Sequence, residues 1–172
     1  FWFTFKATFP RSASSTPSLL QGDEPLADVL GKNSLAAAPF HAGEKKHILI
    51  VDDEQANAKV LETILVRMGL SCSTVADGEQ AVQVVCTQHD RYHTVIMDCQ
   101  MPVMDGMEAT RRIREWETQH QMKRVPIIAL TANAFSSDRQ ACLDAGMDDF
   151  MTKPFDILNL QVKLEHWLIS SL

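Results

Sequence analysis

Along most of this chain, short apolar runs alternate with stretches whose apolar residues recur every three or four positions. HILIVDD (47–53) is a nearly unbroken apolar run that ends in two acids. Behind it Val60, Leu61, Ile64, Leu65 and Met68 form a helical stripe closed by Gly69. The same alternation then repeats. SCSTVA (71–76) predicts a strand and GEQAVQVVCTQH (78–89) a helix, and HTVIMD (93–98) is a strand followed by the helix MEATRRIREWETQ (107–119). VPIIALTA (125–132) precedes SSDRQACLDA (136–145), whose N-cap is Ser136 or Ser137 and whose C′ residue is Gly146. DDFMTK (148–153) is a short strand, and FDILNLQVKLEHWLISS (155–171) sets Ile157, Leu160, Leu164 and Leu168 on one helical face. Strands such as HILIV, TVIM and PIIAL are apolar on both faces, as parallel strands covered on both sides should be. The pattern predicts an α/β fold: an open, doubly wound, five-stranded parallel sheet with helices on both faces. Ligands of such sheets bind beyond the carboxyl ends of the strands.

The first 45 residues break the pattern. Residues 6–45 are rich in Ser, Pro, Ala and Gly, lack a sustained period, and read as a linker with at most a transient helical turn around Leu26–Leu30. FWFTF (1–5) alternates large apolar residues with a small polar one and runs on to Pro10, as a closing edge strand would. It is too short and too poorly flanked for a signal peptide. With no initiating Met, the 172 residues are expected to be a piece of something longer.

Composition narrows the function. A net charge of −6 argues against nucleic-acid binding, which needs a basic face, and no apolar run approaches the length of a membrane span. Cys72, Cys86, Cys99 and Cys142 are scattered without CxxC spacing, and the six histidines are dispersed. That excludes an obvious zinc or redox motif and suggests reduced, buried cysteines. Arg111, Arg112 and Arg114 share their helix with Glu108, Glu115 and Glu117, and mixed signs of this kind read as a solvated face.

The candidate chemistry lies at strand ends. Asp52 and Asp53 follow the first strand, Asp98 ends the third, Thr131 the fourth, and Lys153 follows the fifth. Singly, each has an ordinary explanation: acids favour a helix start, threonine suits strands, and lysine suits the surface. Jointly, they fall where the fold would bring them together. After Asp98 comes MPVMDG, in which Pro102 fixes one φ and Asp105-Gly106 is expected to supply a left-handed turn. Three carboxylates at one mouth repel by about 4 kcal/mol per close pair at an effective dielectric near 20. A hard divalent cation with oxygen ligands would remove that cost. Without Cys or His ligands, Mg²⁺ or Mn²⁺ suits the site better than zinc.

VDDEQAN, MDCQMPVMDG, ALTANA and AGMDDFMTKPF together resemble the receiver domain of two-component signalling, in the form found in hybrid sensor histidine kinases. The resemblance covers residues 46–172 and implies the flavodoxin-like strand order 2-1-3-4-5. It implies that Asp98 accepts a phosphoryl group from phosphohistidine, and that Asp53 and Asp98 ligate the metal directly. Asp52 would ligate it through water and Gln100 through its backbone carbonyl. Lys153, aimed inward by a cis bond to Pro154, would neutralise phosphoryl charge, and Thr131 would bond a phosphoryl oxygen. Phe150 holds the family's aromatic switch position; without a hydroxyl it should prefer burial. Gln100 and Asn133 flank the approach of hydrolytic water and would set the phosphate lifetime. A histidine phosphotransfer domain would dock around Ala56, Asn57 and Val60, which could equally be core residues. FWFTF resembles the closing strand of a histidine kinase's ATP-binding domain, so the expected layout is a kinase remnant (1–5), a linker (6–45) and a receiver (46–172).

Three readings compete. The first is a cytoplasmic, self-phosphorylating receiver, not an enzyme itself, in a sensor kinase that is free to be membrane-anchored. It would take its phosphoryl group from the kinase's phosphohistidine domain. A stand-alone response regulator acting by protein contact is its variant; an attached effector is disfavoured because the chain stops after the last helix. The second is an aspartyl-phosphate phosphatase, which needs an acid two residues past the nucleophile, where Gln100 stands. The third is a nucleotide-binding module, but no strand is followed by GxGxxG or GxxxxGK[ST].

Overall fold

The structure, a computed structural model, describes residues 46–132 and 136–169. The segment expected to be a kinase remnant (1–5), the whole of the expected linker (6–45) with the turn expected around Leu26–Leu30, and Asn133 lie outside the described residues. Among the described residues five strands, β1 (His47–Val51), β2 (Ser71–Val75), β3 (Thr94–Asp98), β4 (Ile127–Thr131) and β5 (Asp149–Thr152), alternate with five α-helices. These are α1 (Gln55–Arg67), α2 (Gly78–Thr87), α3 (Gly106–Gln119), α4 (Ser136–Asp144) and α5 (Ile157–Ile169). The strands are all parallel, in the order β2-β1-β3-β4-β5. This is the doubly wound sheet that the alternation predicts.

Side-chain alternation divides the core into two layers. Leu49, Val51, Val95, Met97, Ile127 and Ala129 face Ala81 and Val85 of α2, Ala109 and Ile113 of α3, and Cys142 of α4. Ile48, Ile50, Ile96, Ile128, Leu130 and Met151 face Leu61 and Leu65 of α1 and Leu160, Leu164 and Leu168 of α5. Every residue of β3 and β4 is buried, which is why those strands read as unbroken apolar runs. Helix ends follow their residues. Asp77 and Asp105 cap α2 and α3 by accepting from the backbone N–H of Gln80 and Glu108. Gly69 and Gly146, at φ of 81° and 99°, close α1 and α4, with Leu70 N–H bonded to Leu65 and Met147 N–H to Cys142.

Two readings of the sequence need correction. Gly106 does not make a left-handed turn. The residue in that region is Val103, at φ 67°, the apex of a γ-turn closed by Met104 N–H to the Pro102 carbonyl at 2.8 Å. Gly106 opens α3, and a Cβ on it would lie 2.0 Å from the Asp98 carbonyl oxygen, so size, not dihedral freedom, demands glycine there. The α3 charges are not all solvated either. Arg111 and Arg112 pair with Glu108 in the open, whereas Glu117 is 2% exposed. Glu117 accepts from Val125 N–H and from Arg114 Nη1, and it also contacts His89 Nε2. Arg114 goes on to Asp148 and the Gly146 carbonyl, and so ties α3 to the lower ends of β4 and β5. A buried acid among so many donors is stabilised by them.

Candidate functional site

Four of the five strands deliver a polar side chain to the same end of the sheet. Asp52 follows β1, Asp98 ends β3, Thr131 ends β4 and Lys153 follows β5. The register brings them together, with Val51 paired to Met97, Asp98 to Leu130 and Thr131 to Thr152. Asp52, Asp98 and Thr131 are 3%, 7% and 6% exposed, and Asp53 is exposed at the rim. Carboxylate oxygens of Asp52, Asp53 and Asp98 lie within 4.8 Å of one another. Lys153 Nζ donates to Asp98 Oδ2 at 2.6 Å and to Asp52 Oδ2 at 2.8 Å. The remaining oxygens are also used: Asp52 Oδ1 accepts from Glu54 N–H, and Asp98 Oδ1 from Gln100 N–H at 3.1 Å.

The arrangement is electrostatically consistent. Burial alone would lower the Lys153 pKa, but hydrogen bonds to Asp52 and Asp98 and their negative charges outweigh it and hold the ammonium above its ordinary value. One cation against three carboxylates leaves the mouth acidic. The donor set is oxygen only, which fits a hard divalent ion and not a soft one. Cys99, beside Asp98, is no competing nucleophile. Burial, the Cys142 thiol 3.4 Å away and the Asp98 charge all push its pKa up, so it stays protonated. A partly buried carboxylate braced by a lysine, with a hydroxyl one strand away, can attack an electrophile whose negative charge the lysine and a cation offset.

Residues 48–165 match the family described as the response regulator receiver domain. The chain belongs to that family. The sensor protein GacS of Pseudomonas syringae pv. syringae is 40% identical over 144 residues, which cover 83% of this chain and 16% of that protein. Hybrid signal transduction histidine kinase A of Dictyostelium discoideum is 38% identical over 140 residues, 81% of this chain and 6% of its own. The chain thus spans a small part of the curated kinases it matches. Among solved structures, a receiver domain of a Pseudomonas aeruginosa PAO1 sensor histidine kinase is 46% identical with a TM-score of 0.65. It covers 73% of this chain and 98% of that one, and it holds a magnesium ion in its active-site cleft. The receiver domain of a Saccharomyces cerevisiae response regulator, co-crystallised with a histidine phosphotransfer protein, is 30% identical with a TM-score of 0.70. It covers 74% of this chain and 91% of that one.

The Lys153–Pro154 bond is cis. Gln100 is exposed just past Asp98. Ala56 is exposed, and Asn57 and Val60 are half-buried near the start of α1, Val60 packing in part against the α1–α5 core. Phe150 pairs with Ala129, and Thr131 lies two residues further along β4, so both side chains leave the same face of the sheet. The Phe150 ring is only half-buried, short of the burial expected for an aromatic without a hydroxyl. Its face is occupied instead by cations, Arg139 Cζ at 4.8 Å and Lys163 Nζ at 5.5 Å from the ring centroid.

Proposed function

We propose that this receiver is the phosphoacceptor of a phosphorelay within a hybrid sensor histidine kinase. An Asp98 carboxylate oxygen attacks the phosphorus of a phosphohistidine, the P–N bond breaks, and the imidazole leaves as neutral histidine after taking up a proton. The aspartyl phosphate then passes its phosphoryl group to the histidine of a phosphotransfer domain. The observation that carries this reading is the Asp98 carboxylate, 7% exposed at the strand mouth and bonded to Lys153 Nζ at 2.6 Å.

Asp52, Asp53 and Asp98, with the Gln100 carbonyl, would hold Mg²⁺ or Mn²⁺; the likeness to a magnesium-bound receiver supports this. When bound, the cation offsets charge on the transferring phosphoryl group. Lys153 offsets charge from the opposite strand, and Thr131 donates its hydroxyl to a phosphoryl oxygen. As that hydroxyl moves, it vacates space that Phe150 can enter. Gln100 and Asn133 orient hydrolytic water without acting as bases, which gives an intermediate phosphate lifetime. The phosphotransfer domain docks over Ala56, Asn57 and Val60.

Residues 1–5 are the end of a kinase ATP-binding domain, 6–45 a linker and 46–172 the receiver. The fragment is a cytoplasmic module and not an enzyme in its own right. The parent gene tests this layout: a Gly-rich ATP lid should lie directly upstream of Phe1, and a phosphorylatable histidine farther back. A gene that starts within a few residues of Phe1 would make the receiver free-standing. The transfer itself is tested by mixing the chain with a phosphotransfer domain labelled on histidine. Label should move to the native chain and not to Asp98→Asn, and equal transfer to both would refute the reading.

A further inference from the structure

Phe150 stands half-buried on β5, an edge strand of the sheet. Two helices provide cations. Arg139, on the exposed side of α4, places its guanidinium carbon 4.8 Å from the ring centroid. Lys163 of α5 reaches around the strand to 5.5 Å. Lys163 is itself held, donating to Asp149 Oδ1 at 2.6 Å, and Asp149 also accepts from Trp167 Nε1 at 3.3 Å. Both cations lie within the roughly 6 Å over which a ring quadrupole attracts positive charge. The attraction exists only while the ring stays at the edge. A ring turned inward beside Thr131 would leave both cations behind and return them to water.

We propose that Arg139 and Lys163 are positioning residues that hold Phe150 in its outward placement and so set how often the ring occupies the inward one. The proposal rests on the reading of Asp98 as phosphoacceptor and of Phe150 as the switch aromatic, and names what biases that switch in this chain. Arg139 is the stronger hold, because the Lys163 charge is shared with Asp149. A cation–π contact at a partly exposed site favours the contacting state by about two- to fivefold. A ligand that prefers the inward ring is weakened in proportion to the population withheld from it. Loss of the Arg139 cation should therefore tighten a phosphoryl mimic by about two- to fivefold, without any new contact to the ligand.

The test titrates beryllofluoride with Mg²⁺ into the chain by calorimetry, in a double-mutant cycle. Arg139→Gln should bind two- to fivefold more tightly than the native chain, and Arg139→Lys, which keeps a cation, should stay close to native. In a Phe150→Leu background, with no aromatic ring to hold, Arg139→Gln should have no effect. Melting temperatures should fall by no more than a few degrees in Arg139→Gln, the loss of one exposed contact, and a larger fall would mean general loosening instead of a bias on the ring. An Arg139→Gln effect of equal size with and without the ring would overturn the clamp while leaving the switch intact. If Phe150→Leu leaves affinity unchanged although beryllofluoride still binds, the switch role fails and the clamp with it. If the native chain and every variant fail to bind beryllofluoride, the phosphoacceptor reading itself is what has failed.

Discussion

Lys153 Nζ bridges Asp98 Oδ2 and Asp52 Oδ2, at 2.6 Å and 2.8 Å, across the mouth between β1, β3 and β5. Lys153 is 55 positions from Asp98 and 101 from Asp52 in sequence. The ammonium therefore ties three strand ends together and offsets part of the charge of the acids. Lys153→Met would leave two largely buried carboxylates facing each other. We predict a loss of about 1–3 kcal/mol in urea unfolding, below the full cost of breaking a buried pair because Lys153 is partly exposed. Phosphoryl labelling of Asp98 should fall at least tenfold. Lys153→Arg should fall between the two, since it keeps the charge but not the compact ammonium.

Gly106 provides a second prediction. Its hydrogen side faces the Asp98 carbonyl so closely that a methyl group would sit 2.0 Å from that oxygen and 2.8 Å from Met97 Cγ. Backbone must move to admit it, and the backbone in question carries Asp98, the proposed phosphoacceptor. Gly106→Ala should cost about 3 kcal/mol in denaturant midpoint measurements and should slow labelling even where the variant is fully folded. Unchanged stability would mean that α3 can slide outward freely.

Much of this could be read in the sequence, for a physical reason. Strands β1, β3 and β4 are covered on both faces, so burial writes itself as unbroken apolar runs, and Asp52, Asp53, Asp98 and Thr131 stand out at their ends. What was hidden depends on tertiary neighbours. Nothing local marks Glu117 as buried: Arg114, one turn before it, looks like an ordinary solvated helix pair, and the Val125 N–H and His89 that enclose it come from other elements. Gly106 offered a plausible turn signal, and only the approach of Asp98 reveals steric exclusion as its purpose. The half-buried state of Phe150 depends on Arg139 and Lys163, which lie on helices to either side of it in sequence.

A third prediction concerns acid stability. His47 contacts Ser71 Oγ and Ser73 Oγ, both at 2.8 Å, through its two ring nitrogens. Burial, then the charges of Arg91 and His93, lower its pKa from the ordinary 6.5. The unfolded chain therefore takes up this proton first on acidification. The stabilisation is present above the ordinary histidine value, is lost as pH falls below it, and levels off once pH passes the folded-state value. Thermal melts at pH 7.5 and 5.5 should show a smaller drop for His47→Gln than for the native chain. An equal drop would place the acid sensitivity in other groups.

The central claim is that Asp98 is the phosphoacceptor and that the acids around it need a divalent cation to work. The most direct measurement is intact mass after incubation with acetyl phosphate and Mg²⁺. The native chain should gain one base-labile phosphoryl group, chelation of the metal should prevent the gain, and Asp98→Asn should abolish it. Robust labelling of Asp98→Asn, or full labelling of the native chain without a divalent cation, would contradict the account.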